Sequence, residues 1–295
     1  MSSAAQPFPG VPWYDISDPS SPSLEELAAK YKIHELQVED CRHEGQRAKT
    51  EDYEHYMFTV LKQIQQDERL GFSDFSIFLG QDWLVTVHAA PSSAILEKAV
   101  QRARQQSVRR VDKIFYIIVD LVVDEYLGLL DHLTEEISEV ESVVLEAPEP
   151  AVLQRIFRLK RKLIEFRRIA ANTRDVVNEL IRREQGLLGD DLDPYFRDVY
   201  DHATRTVELI ETYRDLLTGS LDIYLSAVAN RTNEVMKVLT VWGTVALPLV
   251  IITGFFGMNL HLPWSNNPHG ALYACILMMI STVLILFYFK MKRWF

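Results

Sequence analysis

The sequence predicts an α+β soluble domain, then a long helical hairpin and a stalk helix, and last two transmembrane helices at the C-terminus. Three observations carry that architecture. From Val238 to Phe289 the chain has no Asp, Glu, Lys or Arg. Within that span, Leu239–Met258 and Ala271–Phe289 are each long enough to cross a hydrocarbon core about 30 Å thick as a helix. The rest is highly charged: the part before Lys237 holds 27 Lys and Arg against all 41 Asp and Glu, a net of −14. Near residue 108 the apolar pattern also changes, from short mixed runs to sustained three- and four-residue steps.

In chain order, residues 1 to about 25 are rich in Pro, Ser and Gly and read as an irregular leader. SLEELAAKYK reads as a short helix. HYMFTVLKQIQQ, DFSIFLG and DWLVTVHAA are β-rich runs bounded by Gly and Asp, as in antiparallel strands. SSAILEKAVQRARQQ returns to helix, capped by Ser92 or Ser93. Residues 1–107 thus form the α+β domain. Over 108–190, two long amphipathic patterns separated by APEP read as a hairpin, acidic toward the end of its first arm and basic in its second. A stalk helix follows over 191–237 and continues into a first span over 238–259. LHLPWSNNPHG, with two prolines and a glycine, is a loop over 260–270; a second span covers 271–289 and a basic tail 290–295. From Pro194 to Asn259 the only irregular residues are Gly219 and Pro248. A helix of that length is about 100 Å long at 1.5 Å per residue, too long for one subunit to bury, so it should pack against copies of itself.

Basic residues flank the spans on one side only, at Arg231 and Lys237 before the first and in KMKRWF after the second. Both termini are therefore expected in the cytoplasm, with the loop outside. The leader has neither a basic nor an apolar region of signal-peptide type. Cys41 and Cys275 lie on opposite sides of the soluble/membrane division, and no disulfide is expected. The acidity argues against nucleic acid as a partner. No Gly-rich phosphate loop is present, and Cys41-Arg42-His43-Glu44 lacks the spacing of a zinc site. No enzyme and no cofactor are expected.

Along the long helix, steps of four and three from Asp222 give Ser226, Ala229, Asn233, Met236, Thr240, Gly243, Leu247, Val250 and Gly254. The spacing is that of a helix–helix seam, but small and polar residues stand where a two-stranded coil places Leu or Ile. Such a stripe suits helices arranged around an axis with space in the middle. A small rotation exchanges Thr240 for Leu239 on the inner face. At its outer end the helix reaches Gly257-Met258-Asn259. Taken alone, that tripeptide is a helix end whose Gly and Asn tolerate the left-handed conformation.

In its setting, after TNEVMKVLT and before a short loop and a basic tail, Gly257-Met258-Asn259 resembles the signature of the CorA family of divalent-cation channels. PYFRDVYDH (194–202) and YRDLLTGSLDIYLSAVANRTNEVMKVLT (213–240) are similar to the same family, as is the order of segments, from about residue 30 to the end. The resemblance implies a funnel-shaped homopentamer in the cell's inner membrane, in contact with lipid. It implies Mg²⁺ as substrate and regulator, with Co²⁺ or Ni²⁺ as fellow permeants. Gly257, Met258 and Asn259 would form the outer selectivity ring. Asp222 and Asn233 would line the inner pore, and Met236, Leu239, Leu247 and Val250 the gate. Glu39, Asp40 and Asp198 would hold cytosolic Mg²⁺ between subunits and keep the pore closed. Relatives often carry a Glu in the outer loop, which has no acid here; its two histidines, His261 and His269, read as surface residues. The alternatives are the related zinc-transporting branch and a membrane-anchored coiled-coil scaffold that transports nothing.

Overall fold

The computed structural model describes residues 6–8, 10–65, 71–89, 93–146, 149–183, 186–258, 268–292 and 294. One compact unit covers Met1–Leu221 and a second Asp222–Phe295.

The first unit is built on a five-stranded sheet. Strands β2 (Lys49–Asp52), β3 (Tyr56–Gln65), β4 (Gly71–Gly80) and β5 (Leu84–His88) form an antiparallel meander. Strand β1 (Trp13–Ile16) adds to the far edge, parallel to β5, giving the order β1-β5-β4-β3-β2. β1 lies inside the stretch whose Pro and Ser content reads as irregular leader. Four residues between prolines give little periodicity. The strand is held by burial instead, because Trp13 is fully buried and its indole donates to Thr86 Oγ1 at 3.1 Å. That hydroxyl donates in turn to Asp15 at 2.6 Å.

Alternation across the pleat sends Phe58, Phe78 and Val85, which are cross-strand neighbours, to one face. There they meet Leu24 and Leu27 of helix α1 (Pro22–Tyr31) and Val38 of helix α2 (Glu35–Arg42). Helix α1 starts at Pro22, with the Ser21 hydroxyl accepting from Ser23 N–H at 3.3 Å. The opposite face is covered by helix α4 (Val111–Glu146), which also packs on helix α3 (Ser93–Gln105). With both faces covered, β5 is buried at every residue.

Helix α4 pairs with α5 (Pro150–Ile181), and the Tyr126 hydroxyl of α4 donates to the Lys62 carbonyl of β3 at 2.5 Å while lying 3.2 Å from Thr173 of α5. Helix α6 runs from Asp193 to Phe256, and α7 from Gly270 to Met291. The early part of α6 belongs to the soluble unit. Phe196, Val199, Ala203, Ile210 and Leu217 are buried at helical spacing, and Phe196 packs on Phe115 and Tyr116 of α4. The α6 helix and α7 are long and apolar enough to cross a membrane.

Cys41 sits at the end of α2, where burial pushes its thiol up to about 12 against the lowering effect of a hydrogen bond with Ser76. A thiol so held is a structural residue rather than a nucleophile. In a Cys275→Ser background, iodoacetamide at pH 8 should leave Cys41 unlabelled until the soluble unit is denatured; labelling of the native protein at the rate of a free thiol would contradict this. Trp13→Ala should cost about 3–5 kcal/mol, the usual loss for a fully buried large aromatic, and lower the thermal midpoint of the soluble unit's unfolding. An unchanged midpoint would remove β1 from the core.

Candidate functional site

The residues expected to carry function fall in two places, one in each unit. In the second unit every member of the stripe from Asp222 to Gly254 is exposed. Met236, Leu239, Leu247 and Val250 expose 55–66% of their surface, far more than apolar side chains keep when packed. The half-buried residues Val241, Val245, Pro248, Leu249, Ile252 and Phe256 recur at the same helical steps on the opposite side of α6. The stripe thus lies on the side of α6 that the chain leaves unpacked, together with Trp242 and Ile251, which expose 71% and 60%. A Cβ built at Gly243 or Gly254 meets nothing within 4 Å, so nothing in the chain itself calls for small residues there. Hydroxyls along this stretch are satisfied by the helix: Thr240 donates to the Met236 carbonyl at 2.7 Å, Thr244 to Thr240 at 2.7 Å and Thr253 to Leu249 at 2.8 Å.

At the end of α6, Gly257 N–H donates to the Thr253 carbonyl at 2.9 Å and Met258 N–H to Phe255 at 3.4 Å. Among the described residues the glycines with positive φ are Gly10 and Gly45, so Gly257 is not a left-handed cap. A Cβ there would stand 3.0 Å from the Thr253 carbonyl oxygen of the preceding turn, so a larger residue requires that turn to give by a few tenths of an ångström. Asn259 and His261 lie outside the described residues.

In the first unit, Glu39 and Asp40 sit late in α2 and Asp198 early in α6. Glu39 and Asp198 are exposed. Asp40 is not a free carboxylate: the Lys49 ammonium stands 2.7 Å away and is shared with Glu51, also at 2.7 Å. One turn beyond Asp198, His202 meets two carboxylates of α4. Asp120, Asp124 and His202 each offer a ligand atom, all within 4.8 Å of one another. His202 Nδ1 lies 3.7 Å from Asp124 Oδ1, beyond hydrogen-bond range, and is buried without a hydrogen-bond partner. Asp120 is itself buried and ion-paired with Arg102. Burial raises its carboxyl above the usual range, the Arg102 charge opposing. Burial, with the Asp120 charge adding to it, lifts the neighbouring Tyr116 hydroxyl to about 12.

Two carboxylates and an imidazole nitrogen at these separations can share one divalent ion, the imidazole suiting Co²⁺ or Ni²⁺ better than Mg²⁺. Sequence reasoning missed this trio. Asp120 and Asp124 interrupt the apolar run IIVDLVVDEY one turn apart, which is a usable signal; nothing local points to His202.

A family model described as CorA-like Mg²⁺ transporter protein matches residues 9–293. A cobalt/magnesium transport protein CorA from Thermotoga maritima is 36% identical over 272 residues, covering 90% of this chain and 77% of that protein. The complete structure of the CorA magnesium transporter from Methanocaldococcus jannaschii, 26% identical, matches 96% of this chain and 91% of its own with a TM-score of 0.87. The ZntB cytoplasmic domain from Vibrio parahaemolyticus, 17% identical with a TM-score of 0.63 over 74% of this chain, shares the fold. With the match running over nearly its whole length, the chain belongs to the CorA-like Mg²⁺ transporter family, whose members are transporters and not enzymes.

Proposed function

We propose that the chain is one subunit of a homopentameric channel of the cell membrane that admits Mg²⁺, with Co²⁺ and Ni²⁺ as fellow permeants, and that cytosolic divalent cation closes it. The observation that carries this reading is the stripe of α6, exposed in the single chain and mixing small and polar residues with Met236, Leu247 and Val250 at positions a tightly coiled helix would fill throughout with Leu or Ile. Five such faces turned toward a common axis leave a path between them. Asp222 and Asn233 stand at its inner end, and Met236, Leu239, Leu247 and Val250 form an apolar constriction that closes by excluding water. Both termini are cytoplasmic.

At the outer end, Gly257, Met258 and Asn259 form the selectivity ring. Mg²⁺ dehydrates reluctantly, so neutral amide oxygens that touch its hydration shell attract it at small cost. A conducting site must also be weak enough to release its ion. An acid-free outer loop is compatible with that, since the ring itself carries the recognition.

For closure, the exposed Asp198 faces a cation bound at the boundary with the next subunit, whose Glu39 and Asp40 complete the ligand set when Lys49 yields, while Asp124 and His202 lie one turn further on. Carboxylates held together repel unless a cation lies between them, so a well-supplied site favours the closed arrangement. The size of the shift is set by how much better the ion binds that state.

Asn259→Ala should abolish Mg²⁺ uptake into proteoliposomes while the protein still assembles; uptake at the wild-type rate would remove Asn259 from the ring. Leu247→Ser should raise leak at high internal Mg²⁺ by wetting the constriction, and an unchanged leak would move the gate toward Asn233 and Met236. Asp198→Lys supplies a tethered cation in place of the metal and should leave uptake nearly insensitive to internal Mg²⁺, whereas full sensitivity would place the regulatory ion elsewhere.

A further inference from the structure

The acidic first unit contains one strongly basic helix. α5 carries eight Lys and Arg against three Asp and Glu, whereas α4 beside it carries one Lys against ten acids. Part of this charge is used in the fold: Arg155 pairs with Glu139, Arg167 with Glu211 and Arg174 with Asp175. Arg161 and Arg168 have no hydrogen-bond or ion-pair partner among the described residues, and both are exposed.

These two guanidiniums line a groove of about 740 Å³ between α5 and Arg214 of α6. The groove shares Glu165, Arg168 and Asn172 with a second one of about 470 Å³, which continues past Arg47 to the half-buried ring of Phe72 on β4. Arg47 Nε donates to Asn172 Oδ1 at 3.1 Å, so its terminal amino groups remain free to turn into the trough. Arg161 and Arg168 are two turns apart, roughly 10 Å along the helix axis. Unpaired arginines in a row present planar forks that match phosphate oxygens two at a time. A row of that length engages linked phosphates better than a single one.

We propose that this trough is a binding site for a polyphosphate anion, either inorganic or the tail of a nucleotide, held by Arg161, Arg168 and Arg47. Glu165 stands between Arg161 and Arg168 on α5 and opposes a bound anion, so the arginines act against its charge. The trough is independent of the cation path and of the Asp120–Asp124–His202 cluster.

The test is calorimetric titration of the full-length protein in detergent at physiological salt, using sodium tripolyphosphate, ATP and AMP in the presence of EDTA. Saturable binding of tripolyphosphate, with AMP at least about tenfold weaker, is expected from the number of phosphate contacts. Equal affinity for ATP and tripolyphosphate assigns the site to the phosphates alone, and tighter ATP binding adds the nucleoside; either supports the proposal. Arg161→Gln with Arg168→Gln should lower affinity at least tenfold. Glu165→Gln should raise it severalfold, a gain that loss of folding cannot imitate. Arg155→Gln with Arg174→Gln, the same charge change on paired arginines of the same helix, should leave it unchanged. Absence of saturable binding would overturn the site. So would an equal loss in that control pair, which would mean diffuse attraction to a basic surface, or a Glu165→Gln variant that binds no better.

Discussion

A single unbroken helix imposes the constraint on which the rest of the structure depends. α6 has 64 residues, about 96 Å at 1.5 Å per residue, and its surroundings change along its length. Up to Leu221 it belongs to the soluble unit and buries a face of Phe196, Val199, Ala203, Ile210 and Leu217. From Asp222 onward the chain offers that helix no comparable cover, and the positions that do become half-buried lie opposite the stripe. Dispersion and hydrophobic burial therefore stabilise the first half within one chain. In the reading proposed above, lipid and other copies cover the second half, which is long and apolar enough to cross a membrane. The Gly, Ser, Ala and Asn content of the stripe then becomes intelligible, because small residues let backbones approach or leave room between them.

Charge ties the soluble unit to the start of this helix. Arg110 bonds Asp112 and, at 2.9 Å, Asp191, while Lys113 reaches Asp191 at 3.2 Å and Gly189 N–H donates to Asp112 at 3.1 Å. The bond to Asp112, foremost among its contacts, raises the Arg110 guanidinium pKa above its already high value. The beginning of α4 and the beginning of α6 are thus clamped together. The Asp120–Asp124–His202 cluster stands two to three turns further along the same helix pair. In the proposed closure, a cation held there would act close to this clamp, at the start of the helix that leads to the second unit.

Much of this was legible in the residues, and the exceptions have physical reasons. The long apolar patterns gave α4 to α7, because many turns of helix average out local noise. The β-rich runs gave β3, β4 and β5. β1 escaped because four residues between prolines carry no period, and its parallel pairing with β5 depends on a buried Trp13 that only the tertiary fold supplies. α2 and β2 are short and polar, and the burial of Val38 and Thr50 holds them in place rather than any local propensity. The cation-ready trio joins residues 82 and 78 positions apart in sequence, and no spacing rule spans such a gap. Asp40 could be singled out by likeness alone, and its ion pair with Lys49 could not be foreseen from either residue.

The central claim is that the face of α6 holding Gly243, Leu247 and Val250 lines the path of the ion. In a background lacking Cys41 and Cys275, single cysteines placed along α6 can be exposed to a small cationic thiol reagent while Mg²⁺ flux is recorded. Cysteine at positions 243, 247 and 250 should react and block flux, while cysteine at 241, 245 and 252 on the opposite side should not. Block that peaks on the side of Val241 and Ile252, or that shows no helical period, would contradict the account.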